Sequence, residues 1–373
     1  MSSHRVPVLL ATSALCAHAS AQLAVVSSSP PLNQGNVPRT AAVSFTFDRP
    51  IDRASVTPAN FHLFGKVTGP MAGTFAFSND DRTVTLTPAR RFSAGETALA
   101  TLSHNLRGAD GVPLRSSGYT LMFVAAVSPS SGTFVPLDSF SNRDASGAQT
   151  RIYGTNACDL NRDGYPDLCT VNEVSSDLRV FLNRADGTGL CRPLLTPYTP
   201  MPEESSPNDV ADFDGDGFID VITSSALEGN VAIAFGRGDG SFRSVTRIPV
   251  GSYPRGFGIF DADGDGDFDI AVACAGSSYI AYIRNNGNGT FAAPISFEGG
   301  VQGEYGMNGA DMNNDGLVDL VVAGQTSQTV SVLRSNGNGT FTIASTRPVG
   351  GQDWVVLCGD LNGDRNMAVP TAN

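Results

Sequence analysis

An aspartate-rich pattern of nine residues recurs five times in this chain, and no other feature limits its fold so tightly. The first copies read Asp159-Leu-Asn161-Arg-Asp163-Gly164-Tyr165-Pro-Asp167 and Asp212-Phe-Asp214-Gly-Asp216-Gly217-Phe218-Ile-Asp220. Asp261-Ala-Asp263-Gly-Asp265-Gly266-Asp267-Phe-Asp269 and Asp311-Met-Asn313-Asn-Asp315-Gly316-Leu317-Val-Asp319 follow. The fifth, Asp360-Leu-Asn362-Gly-Asp364-Arg365-Asn366-Met-Ala368, has lost its glycine and its last carboxylate. Successive first aspartates stand 53, 49, 50 and 49 residues apart.

A second mark opens 27 residues after the first aspartate of each complete unit: Asp186-Gly-Thr188, Asp239-Gly-Ser241-Phe242, Asn288-Gly-Thr290-Phe291 and Asn338-Gly-Thr340-Phe341. The constant offset leaves no net insertion between the marks. Two apolar runs lie between them, such as Asp319–Ala323 and Thr329–Leu333; a third starts at Phe341 and a fourth, Trp354–Leu357, enters the next acidic loop. Four short strands per unit of about 50 residues predict a β-propeller, whose blades bury their faces only against neighbours. A parallel β-helix repeats at shorter periods. The fifth unit has room for one strand after its loop, and Ser131-Gly-Thr-Phe134 resembles the entry to a third strand. Two readings stay open: N-terminal strands close a ring of about five blades, or the chain is a shortened member of a larger ring.

The loops point to calcium. Acidic or amide side chains at positions 1, 3 and 5 converge on one point, glycine at 6 permits a sharp turn, and a main-chain carbonyl at 7 with a carboxylate at 9 completes an oxygen sphere. The expected ligands are Asp159, Asn161, Asp163, Tyr165 and Asp167; Asp212, Asp214, Asp216, Phe218 and Asp220; Asp261, Asp263, Asp265, Asp267 and Asp269; and Asp311, Asn313, Asp315, Leu317 and Asp319. Residues at position 7 contribute main-chain oxygen, so their side chains vary. Magnesium prefers to retain water, and zinc or iron calls for histidine or thiolate, yet the four histidines lie outside the repeats. An EF-hand needs a glutamate at position 12; here that position holds Thr170, Thr223, Val272 or Val322. Asp, Asn and Gly also form plain turns, but a plain turn has no use for an aspartate at position 9. About four Ca2+ sites are therefore expected, with the loop at 360–368 weak or empty.

The residues before the repeats differ. His4-Arg5, the apolar run Val6–Cys16 and Ala19-Ser-Ala21 read as a signal peptide over 1–21. Ala42–Phe47, Thr83–Thr87, Thr97–Leu102 and Tyr119–Ala125 are short β-like runs separated by turn residues, which predicts a β-sandwich over 22–127. The propeller is expected over 128–373. Five cysteines remain after cleavage, at 158, 169, 191, 274 and 358. Cys169 and Cys274 fall in apolar strand patterns that suit buried thiols, while one disulfide within or between units stays open.

The segments Phe45–Ile51, Asn60-Phe61, Thr83–Pro88 and Leu106–Leu114 resemble the bacterial immunoglobulin-like domain of secreted and surface-layer proteins, which implies a spacer or presentation module. From Ser128 onward, about two-thirds of the chain, the acidic loops and Asn-Gly-Thr-Phe turns resemble the FG-GAP (VCBS-type) repeat, also found in the integrin α-subunit. The resemblances together imply an all-β fold: an Ig-like β-sandwich followed by a calcium-braced β-propeller. They imply sites that brace blades in secreted or surface proteins that bind protein or glycan.

A net charge of -12 argues against nucleic acid as a partner, and no later segment has the long apolar run of a transmembrane span. Gly-x-Ser-x-Gly, His-Glu-x-x-His and phosphate-binding glycine loops are absent, and the well-placed aspartates are committed to calcium. The expected function is a secreted or cell-surface, non-catalytic recognition scaffold for an extracellular protein or glycan. A polysaccharide-acting enzyme, or an accessory module of a secreted hydrolase system, is the alternative. Tyr198, Tyr253, Arg255, Tyr305 and Trp354 lie in blade connections and are candidate binding residues; Glu203, Glu204 and Glu304 read as solvated surface. Asn288 and Asn338 head N-glycosylation sequons, but turn structure explains the pattern.

Overall fold

The computed structural model describes residues 22–372 except 130, 134, 135, 138, 144 and 145; the signal expected over 1–21 lies outside the described residues. The alternating runs near the N-terminus are strands of a two-sheet sandwich. One sheet orders Val25–Ser29, Val43–Phe47, Thr83–Pro88 and Gly73–Ser78; the other orders Gln34–Val37, Tyr119–Ala125, Thr97–Leu102, Phe61–Gly65 and Gly69–Pro70. Alternate side chains point between the sheets, so Val43, Phe45 and Phe47 meet Phe61, Leu63, Leu121 and Phe123 in one core.

The repeats form four sheets of four strands, each an antiparallel meander in chain order. Their first strands are Ile152–Cys158, Ser205–Ala211, Pro254–Phe260 and Glu304–Ala310; their second strands begin at Asp167, Asp220, Asp269 and Asp319. Each acidic loop thus joins first strand to second. The fifth unit contributes Val355–Val356 paired with Thr371–Ala372. Among the described residues, no strand of 128–151 joins that pair; Phe134 of the 131–134 turn, which one of the two open readings enlists to close the ring, lies outside the described residues.

No repeat sheet has a core to itself. Cys158, Val171 and Val180 of the first sheet pack on Val210, Val221 and Ala234 of the second. Phe260, Ala271 and Ile280 of the third pack on Met307, Leu320 and Leu333 of the fourth. Burial of the adjacent pairs Val221 and Ile222, Val272 and Ala273, and Leu320 and Val321 at 0 % exposure shows sheets covered on both faces. First strands of neighbouring sheets approach so closely that only glycine fits at Gly154, Gly256 and Gly306. A Cβ on Gly256 would lie 2.4 Å from the Met307 amide nitrogen, and one on Gly306 2.9 Å from the Trp354 carbonyl oxygen.

The sandwich is not suspended as a spacer, as the sequence resemblance implied. The outward side chains of its second sheet, Phe64, Leu99 and Met122, join a cluster with Phe213, Phe257, Ile259 and Phe268 of the second and third repeat sheets. Phe64 and His62 meet the Phe268 ring edge-on at 5.2 and 5.7 Å. A cavity of about 460 Å³ remains beside this contact, lined by Leu99, Met122, Phe257, Ile259, Val318 and Leu357. The thiols of Cys158, Cys169 and Cys274 are buried.

Substituting Gly256→Ala forces the neighbouring backbone to shift, an overpacking cost of about 1–3 kcal/mol. Urea unfolding of this variant should show a lower midpoint with an unchanged slope. An unaltered midpoint would contradict the close approach.

Candidate metal centre

The acidic loops share one hydrogen-bonded frame. The position-1 carboxylate accepts the N–H of position 6: Asp159 from Gly164 at 3.1 Å, Asp212 from Gly217 at 3.0 Å, Asp261 from Gly266 at 3.0 Å and Asp311 from Gly316 at 2.7 Å. Position 3 accepts from the N–H of position 5 in every loop, through Asn161, Asp214, Asp263 and Asn313. Position 5 accepts from position 7, so Asp163, Asp216, Asp265 and Asp315 hold the amides of Tyr165, Phe218, Asp267 and Leu317. The loop turns twice through left-handed backbone. Besides the expected glycine at position 6, position 4 has φ of 60° at Arg162, 70° at Gly215, 81° at Gly264 and 60° at Asn314.

Position 9 has a task that sequence reasoning missed. Both oxygens of this buried carboxylate accept backbone N–H groups. One holds position 2 of its own loop: Leu160 to Asp167 at 3.0 Å, Phe213 to Asp220 at 2.8 Å, Ala262 to Asp269 at 3.1 Å and Met312 to Asp319 at 3.0 Å. The other takes the amide at the end of the third strand, from Asn183, Gly236, Asn285 and Ser335, each at 2.8 Å. The aspartate therefore ties the acidic loop to the second repeated turn. Metal binding is not its only possible purpose, as the sequence argument had assumed. That turn is an Asx turn: Asn288 and Asn338 accept from the amides of Thr290 and Thr340 at 3.1 Å, and Asp239 accepts from Ser241 at 2.8 Å.

These loops concentrate charge in poorly hydrated places. Burial pushes Asp167, Asp212 and Asp319 up to about 6 and Asp220 and Asp269 up to about 8, and carries Asp261 well above the ordinary carboxylate range. The donor sets suit a hard divalent cation. In the second loop Asp212, Asp214 and Asp216, and in the third Asp261, Asp263 and Asp265, each bring one carboxylate oxygen within 4.8 Å of the others. Asp159 and Asp212 each direct a buried Oδ1 that has no hydrogen-bond partner. Where position 3 is an amide, its NH2 donates to the position-5 carboxylate, from Asn161 to Asp163 at 2.9 Å and from Asn313 to Asp315 at 3.0 Å.

Arginines stand beside the same carboxylates. Arg90 of the sandwich pairs with Asp159 at 2.8 Å, Arg243 bridges Asp214 and Asp216, and Arg284 lies 3.8 Å from Asp263. The sandwich also grips the loops through main chain. Val67 accepts from the Asp159 amide, His104 donates to Gly264 O and Thr120 to Gly316 O, each at 2.8 Å; Asn33 donates to Asp311 O at 3.1 Å. The fifth loop keeps the frame, with Asp360 accepting the Arg365 amide at 2.8 Å and Arg365 at φ 68°. Ala368 supplies no clamp: its main chain instead pairs with Gly359.

The aromatic candidates divide. Tyr198 packs 4.0 Å over Arg179 of the first sheet, away from the others. Tyr253, Arg255, Tyr305 and Trp354 come together. The Arg255 guanidinium lies 4.3 Å from the Tyr253 ring centre and 5.5 Å from that of Tyr305, and Tyr305 meets Trp354 edge-on at 5.1 Å. Glu304 corrects the solvated-surface reading, for it is fully buried at the head of a first strand.

Asp220→Ala strips the acceptor from the buried amides of Phe213 and Gly236, a loss of about 2–5 kcal/mol; a urea midpoint like that of the unaltered chain would refute the clamp. The raised carboxylates also set a pH trend in chelator. Their folded pKa values exceed the unfolded value of about 4, so the folded chain holds protons that the unfolded chain has released. Their contribution is full below about pH 4 and is lost as pH rises towards about 8. Urea midpoints in chelator should fall from pH 5 to pH 8, and a rise would overturn the assignment.

Comparison with known proteins places these features in families. The bacterial Ig-like domain family matches residues 19–125. The FG-GAP-like repeat matches four overlapping stretches, 159–223, 212–272, 261–322 and 311–369. No curated protein gave a significant match. Among solved structures, a functionally unknown protein from Desulfotomaculum acetoxidans is 11% identical with a TM-score of 0.43, covering 59% of this chain and 62% of that one, so less than two-thirds of its length is spanned. The periplasmic gluconolactonase of Pseudomonas aeruginosa is 13% identical, with TM-score 0.43 and coverage of 92% and 88%. A lectin from Agrocybe aegerita is 15% identical, with TM-score 0.41 and coverage of 95% and 86%. No described helix is long and apolar enough to cross a membrane. Both matched families are structural and adhesive modules rather than catalytic ones. The chain belongs to the FG-GAP-like repeat family, with a bacterial Ig-like domain preceding its four tandem repeats.

Proposed function

We propose that this protein is a secreted or cell-surface recognition scaffold for protein or glycan, without catalysis of its own. In this reading the four repeat sheets and the partial fifth are blades of a β-propeller spanning 128–373, with the sandwich over 22–127 and a signal peptide over 1–21. The blades are braced by about four Ca2+ ions. The observation that carries the reading is the repeated loop frame, which gathers buried carboxylates beyond what its own hydrogen bonds satisfy.

The residues that would hold the ions are those at positions 1, 3, 5 and 9, with main-chain oxygen from Tyr165, Phe218, Asp267 and Leu317. The hydrogen bonds already made by position 9 do not exhaust it, since a carboxylate offers about four lone-pair directions. A bound divalent cation would supply neutralising charge to each cluster. The chain's own residues set the geometry in advance: two Asx-type hydrogen bonds, at positions 3 and 5, and the bond from the position-6 amide to position 1 aim the ligands, and the clamp fixes the loop to its sheet. In the second loop Arg243 occupies the carboxylates directly and must give way to an ion. The loop at 360–368 would be weak or empty, because Ala368 brings no carboxylate and Arg365 adds a cation.

An ion held at a hundred times its dissociation constant stabilises the folded state by about 2.7 kcal/mol. For a domain of this size that corresponds to a rise of about 5–10 °C per site. Calorimetry of the full chain should show a melting temperature that falls in chelator and recovers with calcium, and limited proteolysis should accelerate in chelator. A melting temperature and cleavage rate unmoved by chelator and calcium would defeat the proposal.

A further inference from the structure

Six residues before the first aspartate of each loop stand Tyr153, Ser206, Arg255, Tyr305 and Trp354, at the same place in successive units. This place is the start of each first strand, the end opposite the acidic loops and the sandwich. Six residues of strand separate the two ends by about 20 Å. Exposed charges this far apart are largely screened at physiological salt, where the Debye length is about 8 Å. The acidic loops therefore do not decide what binds at this end.

Arg255 is the unusual member. It is 7 % exposed, and its Nε and Nη1 have no acceptor among the described residues. Its described neighbours include two aromatic faces, Tyr253 and Tyr305, which stabilise a cation but satisfy no N–H in its own plane. A buried guanidinium whose donors lack acceptors carries an uncompensated desolvation cost, which an anion with oxygen acceptors removes. Around it the rings are open to solvent, with Tyr253 40 % and Trp354 45 % exposed. Tyr153, at the equivalent place in the first sheet, is 58 % exposed. The carboxylate whose charge reaches Tyr305, that of Glu173, is already held by Arg151 at 2.9 Å. Arg255 is thus the cation left to meet a ligand, and the rings offer flat apolar faces beside it.

We propose that Tyr253, Arg255, Tyr305 and Trp354 form a binding site for an acidic sugar, a uronic acid unit of a polysaccharide. Its carboxylate accepts hydrogen bonds from Arg255, and its pyranose ring lies against the exposed aromatic faces. A planar carboxylate matches the planar guanidinium, and the C–H face of a sugar matches an aromatic ring. The assignment rests on the recognition-scaffold reading and names its ligand class.

The test is titration calorimetry of the full-length protein, in calcium, with oligogalacturonate and oligoglucuronate. Their methyl esters and a glutamate-rich peptide serve as comparisons. At least one free uronate should bind, its ester should bind about tenfold or more weakly, and Arg255→Gln should lose a similar factor. Tyr253→Ala removes an exposed ring and gives a second variant should Arg255→Gln fail to fold; it should also weaken binding. Equal affinity for acid and ester, no binding of either uronate, or binding of the peptide alone would overturn the assignment. The melting response to calcium is read separately, so a failed uronate titration with that response intact removes the ligand assignment and leaves the scaffold standing.

Discussion

The four complete repeat units each hang on one buried carboxylate, the aspartate that begins the second strand. With one oxygen it holds its own acidic loop, and with the other it holds the chain 16 residues later, where the third strand ends. The bond pins the two repeated turns to the same end of the sheet. It accounts for the constant spacing between them, because an insertion on either side would pull an amide from its acceptor. Contacts then pass from unit to unit. Gly240 donates to the Leu160 carbonyl of the preceding loop, Asn285 to that of Phe213, and Gly339 to that of Ala262.

This arrangement places the strongest concentration of charge at one end of the molecule and covers much of it with protein. The sandwich supplies main-chain partners to three loops, and Arg90 to Asp159, while Lys66 reaches Asp209 at 2.9 Å just before the second loop. Burial raises the carboxylate pKa values for the same reason that it favours an ion: water is excluded where several oxygens converge. Arginine and a divalent cation are alternative answers to one electrostatic problem, and in the second loop Arg243 sits on two of the three carboxylates that could hold a cation.

Much of this was legible in the chain. Alternation identified Ala42–Phe47 and Thr83–Thr87 as strands because their inward residues, Val43, Phe45 and Phe47 with Val84 and Leu86, are apolar without exception. The repeat period announced four-stranded units. Other features were hidden for identifiable reasons. The clamp at position 9 uses an amide, and every residue carries one, so no side-chain pattern marks the partner. The left-handed turn at position 4 is filled by Arg162 and Asn314 as well as by glycine, which blurs its signal. Thr97–Leu102 is buried on both faces, yet its outward residues mix Leu99 with Thr101, so its second contact left no clear trace in composition. The union of Tyr253, Arg255, Tyr305 and Trp354, and the exclusion of Tyr198, depended on how first strands converge, which no local pattern encodes.

The docking of the sandwich limits how freely such a module can be exchanged between proteins. Phe64, Leu99 and Met122 are oily residues on what a detached domain would present to water, and Phe257, Ile259 and Phe268 are their counterparts on the repeats. Shuffling either half into a new context would bare a sticky face on both. The linear order of two recognisable families thus conceals a single packed unit, in which the seam is as much a part of the fold as either core.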